Sequence, residues 1–353
     1  MNDPAAGFRP APAGHGPLQF PFPGPPEPGT THELAPGVFW LRMPLPFALD
    51  HINLWVLRDG GGWTLIDCGL NSARTRELWE VIFGSLLATG NVNRVLVTHF
   101  HPDHVGLAGW LTRRFGVELW MTEAEFLITH VNYAQLPGHT KDDTLALFRR
   151  HGLDSARAEA MRAHPHAYSR AISEPPAAFR RIMEGDRIRI GDHAWSVVTG
   201  YGHAPEHAAL HCAELSLLIS GDMVLPKIST NVSVWAEQPE ADPLSQFLRS
   251  VDRYAQLPPD TLVLPSHGLP FRGLQARAAA LHEHHDARLG EVLAACAQPA
   301  SAAQIVPVLF RRVLDDHQMT FAMGEAIAHL NHLMYRGALV RSERDGMLHF
   351  TAV

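Results

Sequence analysis

Cysteine is scarce in this chain, with 3 residues among 353. Cys68, Cys212 and Cys296 are widely spaced and odd in number, which argues against a disulfide framework and fits a reducing compartment. The N-terminus lacks a basic segment followed by an apolar one, and no stretch approaches the roughly 20 apolar residues that span a bilayer. These absences predict a cytoplasmic protein without membrane insertion.

Positive charge is also in deficit, because 29 Lys and Arg face 36 Asp and Glu, a net charge of −7. Such a chain has no global positive field to attract nucleic acid or an anionic membrane, so a small-molecule substrate is the expected partner. The segment after Leu274 contains no lysine, and its acidic residues outnumber its arginines. We interpret it as a packing or dimerisation element, which leaves a homodimer as an open alternative.

Composition and periodicity divide the chain into three parts. Residues 1–31 are rich in Pro and Gly without an amphipathic period, which is typical of an extended or partly disordered arm. Residues 32–273 alternate β-type runs with helical segments and predict a mixed α/β layered domain, with a mostly helical insertion at about 123–182. Residues 274–353 have the pattern of three helices and a terminal hairpin, which predicts a small winged-helix-like domain.

Histidine is abundant, with 23 residues, but abundance alone does not identify metal ligands. The spacing of histidines identifies candidate ligands in the motif Thr98-His99-Phe100-His101-Pro102-Asp103-His104. This motif follows a β-branched strand and precedes a helix predicted from about Val105 to Phe115. Two histidines at i and i+2 can point the same way at a strand end. The turn after Pro102 can bring Asp103 and His104 to a second position nearby.

Three downstream motifs add further candidates. They are Gly202-His203-Ala204-Pro205-Glu206-His207, Ser220-Gly221-Asp222 and Pro265-Ser266-His267-Gly268. Each places a ligand-capable side chain at the end of an apolar run, where loops between strands gather into a site. Each motif alone is a weak signal, whereas the ordered set is a strong one.

With Ile66-Asp67-Cys68-Gly69, these motifs resemble the five motifs of the metallo-β-lactamase superfamily, over roughly Glu33 to Gly273. The resemblance implies a four-layer αββα sandwich with two metal sites. It assigns His99, His101 and His203 to the first metal and Asp103, His104 and His267 to the second. Asp222 would bridge them, and Asp67 would support the site through hydrogen bonds. The insertion and tail resemble the glyoxalase-II-like and β-lactamase-like protein 2 group.

A donor set of imidazoles and carboxylates without thiolate suits zinc, iron or manganese. Di-iron redox members of the family typically carry Glu at the place of His101, so the resemblance favours two zinc ions, with iron or manganese as alternatives. A metal-bridging hydroxide would attack a small ester, thioester or lactone, and Asp103 is the candidate for catalytic proton transfer. A single-strand nuclease and an iron-dependent oxidoreductase remain alternative functions.

Substrate contacts are predicted at His207, Lys227 and Tyr133, with His51 as a further candidate. The insertion also offers apolar side chains, namely Phe126, Leu136 and Phe148, which suit an acyl or aromatic ligand. Ordinary helix packing is the alternative interpretation for each of these residues. Hydrolysis of β-lactams is not favoured, because no secretion signal is evident.

Overall fold

A computed structural model describes residues 17–163 and 168–353, so the first part of the predicted N-terminal arm lies outside the described residues. In these ranges the first sheet has seven strands in chain order. They are β1 (His32–Ala35), β2 (Val38–Pro44), β3 (His51–Asp59), β4 (Gly62–Ile66), β5 (Asn91–Leu96), β6 (Leu119–Met121) and β7 (Phe179–Arg181). Strands β1 to β4 are antiparallel and β4 to β7 are parallel.

The second sheet has five strands in the described ranges, in the order β12-β11-β10-β9-β8. They are β8 (Arg187–Ile190), β9 (His193–Gly200), β10 (His207–Cys212), β11 (Leu217–Gly221) and β12 (Leu262–Pro265). Side chains of both sheets, including Trp40, Trp55 and Trp195, form a shared core. The two sheets therefore pack face to face.

Helices cover the outer faces of both sheets. On the first sheet, α1 (Ala73–Gly84), α3 (Ala108–Phe115) and α4 (Glu123–Ala134) bury a second core. On the second sheet, α8 (Pro243–Tyr254), α9 (Leu274–Ala295), α10 (Ala302–Leu309) and α11 (Asp316–Tyr335) bury a third. The layers run helix, sheet, sheet, helix, which confirms the predicted fold class. No helix in the described ranges is long and apolar enough to cross a bilayer.

Local boundaries differ from the sequence-based expectations in two places. The helix predicted from Val105 is two helices, α2 (Pro102–Val105) and α3, with Gly106 and Leu107 between them. The insertion contains α4, α5 (Lys141–Arg150), α6 (Ser155–Ala163) and α7 (Tyr168–Ala171), but it ends in strand β7, which joins the first sheet. A strand of three residues is too short to show a period in the sequence.

The two ends of the described chain pack on the domain. Gln19 forms an antiparallel bridge with Arg272, and Phe22 packs against the core between the sheets, so the described part of the arm is attached. After α11, β13 (Leu339–Arg344) and β14 (Met347–Ala352) form a hairpin. Three helices and a hairpin are thus present, while their assignment as a winged helix stays a prediction.

Candidate metal centre

The seven predicted ligand side chains lie together in two groups. His99, His101, His203 and Asp222 form one group, and Asp103, His104 and His267 form the other. Within each group, the ligand-capable atoms lie within 4.8 Å of one another. Strands β5, β9, β11 and β12 all end just before one of these residues, so strand ends of both sheets build the site.

Asp222 lies between the two groups. Its Oδ2 is 3.5 Å from His203 Nε2, whereas its Oδ1 is 3.4 Å from both His104 Nε2 and His267 Nε2. Asp103 completes the second group, with Oδ2 3.4 Å from His267 Nε2. The two oxygens of one carboxylate therefore face different sets of imidazoles, as a bridging ligand requires.

The spacing of these atoms fits metal coordination. Ligand atoms about 2.0–2.2 Å from a tetrahedral zinc ion lie about 3.3–3.6 Å apart. The separations of 3.4–3.5 Å around Asp222 fall in this range, and His99 Nε2 lies slightly closer to its neighbours, 2.9 Å from His101 Nδ1 and 3.2 Å from His203 Nε2. Moreover, His104 Nε2 and Asp222 Oδ1 are buried without a hydrogen-bond partner in the described residues. Buried polar atoms rarely stay unpaired, so the donor set fits a bound cation.

Hydrogen bonds at the opposite ring nitrogens orient three of the imidazoles. His104 Nδ1 lies 2.8 Å from Asp67 Oδ2, and His203 Nδ1 lies 2.8 Å from the Asn231 carbonyl oxygen. His267 Nδ1 lies 2.7 Å from the carbonyl oxygen of His51. An acceptor at Nδ1 places the proton there and leaves the lone pair of Nε2 directed into the site.

Asp67 has the predicted supporting position. It is 1% exposed, and its Oδ1 accepts a hydrogen bond from the Thr98 backbone N–H at 2.8 Å. Its φ of +60° lies in the left-handed region, which non-glycine residues seldom adopt. Its bonds to Thr98 and His104 offset the cost of that conformation.

The two groups differ in their electrostatics. Burial lowers the pKa of His101 to about 3, so this imidazole is neutral. Burial also opposes protonation of His267, but the carboxylates of Asp222 and Asp103 outweigh it and raise the pKa to about 10. The same carboxylates and Asp67 raise the pKa of His104. Protons and metal ions therefore compete for the ring nitrogens of the second group.

Comparison with known proteins identifies the family. Residues 48–267 match the model of the Metallo-beta-lactamase superfamily, which is more than half of the chain. The chain belongs to the metallo-β-lactamase superfamily. Residues 289–353 match a second model, the Metallo-beta-lactamase-like C-terminal domain. The predicted family and enzyme class, a metal-dependent hydrolase of this superfamily, are thereby confirmed.

Several relatives in the superfamily cover most of the chain. A β-lactamase domain protein from Burkholderia ambifaria is 52% identical with a TM-score of 0.89, covering 95% of this chain and 98% of that one. The metallo-β-lactamase family protein TTHA1429 from Thermus thermophilus is 30% identical with a TM-score of 0.78, and the match covers 91% of this chain and 100% of that one. The probable metallo-hydrolase YqjP of Bacillus subtilis is 28% identical over 323 residues, 89% of this chain and 97% of that protein.

A further relative carries a specific activity in its name. Acyl-coenzyme A thioesterase MBLAC2 of Gallus gallus is 28% identical over 198 residues. The match covers 54% of this chain and 64% of that protein, so it spans less than two thirds of the relative.

Glu125 is a buried carboxyl group that the sequence motifs did not reveal. It is fully buried, and its two oxygens accept the backbone N–H groups of Phe100, at 2.9 Å, and Glu206, at 2.6 Å. Phe100 lies between His99 and His101, whereas Glu206 follows His203, so Glu125 joins both loops of the first group. Burial raises its pKa to about 8. In the sequence, Thr122 and Glu125 have capping-box spacing, which hides this role.

We expect Glu125→Gln to lower the free energy of unfolding by about 1–3 kcal/mol, the cost of leaving one buried donor unpaired. Glutamine has a single acceptor oxygen, and its NH₂ group would face the second backbone N–H. Urea denaturation of the metal-loaded protein measures the change.

Glu123→Gln is the matched control for Glu125→Gln. Glu123 is on the same helix, but its side chain is 48% exposed and pairs with Arg181 at the surface. This variant should differ from the native protein by less than about 0.5 kcal/mol. Equal stability of the two variants would contradict the bridging role of Glu125.

The predicted substrate contacts receive less support from the structure. His207 is fully buried, with its ring 4.9 Å from that of His99 and its Nε2 3.2 Å from the Asp222 backbone nitrogen. It has no exposed surface, as is also true of the candidate ligands His99 and His104, so its contact with substrate stays a prediction. The ring nitrogen of His51 accepts from the Gly268 N–H at 2.9 Å, next to the candidate ligand His267, and contact of His51 with substrate also stays a prediction.

The other candidates are divided between core and surface. Phe126 and Phe148 are buried in helix cores, so neither offers a face to a ligand. Tyr133 is partly buried against the helices of the first sheet, and Lys227 is exposed after β11. Contacts of Tyr133 and Lys227 with substrate stay predictions.

Proposed function

We propose that this superfamily member is a dinuclear hydrolase that uses two zinc ions to cleave small thioesters, esters or lactones. The observation that carries the proposal is the position of Asp222, whose two oxygens face separate sets of imidazoles. A mononuclear site would not need a second set of three donors beside the first. The absence of a thiolate among the donors favours zinc bound by nitrogen and oxygen, with iron or manganese as alternatives.

Two bound ions would supply Lewis acidity and lower the pKa of a water molecule towards neutrality. The residues of the chain would orient the metal ligands and transfer protons. The Nδ1 partners of His104, His203 and His267 hold the imidazoles in fixed orientations, so no reorganisation is needed when the substrate enters. The Asp103 side chain is 20% exposed, compared with 11% for Asp222 and 4% for His203. We assign to it the transfer of a proton from the attacking water to the leaving group.

A row of ring side chains supports an apolar substrate portion. Phe47 stacks on His317 at 5.3 Å, His317 contacts Phe321 at 5.1 Å, and Phe321 lies 6.4 Å from Trp235. Phe47 is 47% exposed. The row starts in the loop that precedes His51 and ends shortly after Asn231, and the carbonyl oxygens of His51 and Asn231 accept from His267 and His203. A thioester with an apolar acyl chain suits these surroundings, and one relative is named an acyl-coenzyme A thioesterase.

The deciding experiment combines metal analysis with a substrate panel. We expect two zinc ions per chain by elemental analysis, and release of free thiol from acyl-coenzyme A thioesters, faster for longer acyl chains. Lactones, simple esters and single-stranded RNA complete the panel. Cleavage of RNA without thioester hydrolysis would indicate the nuclease alternative, and iron with oxygen consumption would indicate an oxidoreductase.

A further inference from the structure

Residues 223–242 form a long connection without helix or strand between β11 and α8. It starts directly after Asp222, and Thr230 Oγ1 donates a hydrogen bond to the carbonyl oxygen of Asp222. The next residue, Asn231, accepts the Nδ1 hydrogen of His203 at 2.8 Å. Long irregular loops in compact domains are usually functional. The conformation of this loop therefore sets the orientation of two candidate ligands.

The C-terminal helices hold the backbone of this loop. Arg277 of α9 donates to the carbonyl oxygens of Leu225 and Ile228 at 2.5 and 2.8 Å. On α11, the Gly324 carbonyl oxygen accepts the Val234 N–H at 3.1 Å. Buried backbone groups require partners, and an irregular loop cannot supply its own. The catalytic domain thus relies on the C-terminal helices to order a loop at its metal centre.

One of these contacts leads directly to a ligand. Asn231 Nδ2 donates to Glu325 Oε2 at 3.2 Å, and Asn231 Oδ1 accepts from Ser233 Oγ at 2.7 Å. Both ends of the Asn231 amide are therefore fixed. With its side chain held, the carbonyl of the same residue faces His203 Nδ1.

We propose that Glu325 is a positioning residue for the metal centre, which acts by holding Asn231 and thereby the ring of His203. The C-terminal domain then has a role in metal binding. This inference rests on the proposed metal-dependent function. Outer partners of metal-binding histidines fix the ring orientation, and their loss weakens metal binding by about 10–100-fold.

The test is cobalt titration of the metal-free full-length protein, followed by the visible spectrum. For Glu325→Ala we expect one of two cobalt sites to bind about 10-fold more weakly, with a changed d–d spectrum from the altered ring of His203. The matched control is Glu343→Ala, which removes the same side chain from another position of the C-terminal domain. Glu343 is 51% exposed and pairs with Arg150. The control should have native affinities and spectrum.

Two more variants separate positioning from general loss of structure. Glu325→Gln keeps an acceptor oxygen for Asn231 and should restore cobalt binding to within about threefold of native, since a neutral hydrogen bond is retained. Asn231→Ala should weaken the same site, and the double variant should be no weaker than either single one, because both changes break one connection. Circular dichroism confirms that each variant is folded.

The outcomes distinguish this inference from the proposed function. The native protein could bind two cobalt ions while Glu325→Ala and Glu343→Ala have the same cobalt affinities and spectra. That result would overturn the role of Glu325 and leave the hydrolase proposal intact. Multiplicative effects of the two single changes would also overturn it. Native protein that binds no cobalt would overturn both.

Discussion

Asp222→Ala is expected to lower kcat/KM for the best substrate by about 10³-fold or more. Several kcal/mol of Lewis-acid stabilisation would depend on the metal pair, and each 1.36 kcal/mol corresponds to about a tenfold change in rate. Removal of this carboxylate takes an oxygen from both groups, since Oδ1 faces His104 and His267 while Oδ2 faces His203. Zinc content per chain should fall in parallel.

Asp192→Ala is the control for this experiment, because Asp192 is exposed in the turn between β8 and β9. It should retain native zinc content and native rates. Asp222→Asn keeps one side-chain oxygen, so its zinc content should lie between those of Asp222→Ala and the native protein. If Asp222→Ala retains both metals and its activity, the bridging assignment is wrong and the two groups would act independently.

The second large effect concerns the backbone next to His203. Gly202 has a φ of +97°, and a Cβ there would lie 2.2 Å from the Pro243 carbonyl oxygen and 2.6 Å from the Phe247 nitrogen. Gly202→Ala combines a strained conformation with overlap against the start of α8. We expect the free energy of unfolding to fall by about 3 kcal/mol or more, a large part of the roughly 5–15 kcal/mol of a typical domain.

Substitutions at two other glycines distinguish the cost of the strained backbone from the cost of the steric overlap. Gly185 has a φ of +80° but open space around a Cβ, so Gly185→Ala isolates the backbone cost, about 1 kcal/mol. Gly290 lies at an exposed, uncrowded position of helix α9, where alanine should stabilise the protein by about 0.5–1 kcal/mol. Urea denaturation of the three variants gives the comparison. A loss at Gly202 no larger than at Gly185 would show that α8 moves away without cost.

The family and the candidate ligands were accessible from the sequence because both depend on local information. His99, His101, Asp103 and His104 are within one strand-end turn, so their proximity follows from chain geometry. His203, Asp222 and His267 each end an apolar run, and strand ends of a layered α/β domain meet at one edge. Chemical type, position and the family resemblance were sufficient to select seven candidate donors, five of the 23 histidines and two aspartates.

The roles of His207 and Glu125 were not accessible in this way. His207 stands in a motif with His203, which made it a candidate for substrate contact, and only the structure shows that β10 starts at this residue with its ring 4.9 Å from that of His99. Glu125 has the spacing of a helix cap, yet its partners are 25 and 81 residues away. The burial of a polar group depends on every element that packs around it, and sequence periodicity does not contain that information.

The sequence by itself determined which atoms are available for metal binding and the family whose fold presents them. Only the tertiary structure decided how those atoms are held: the Asn231 carbonyl on His203, the His51 carbonyl on His267, and Glu325 on Asn231. The reason is physical. A ligand needs a particular side chain, which the sequence states, whereas a supporting carbonyl exists in every residue and acquires its role only from the position to which packing brings it.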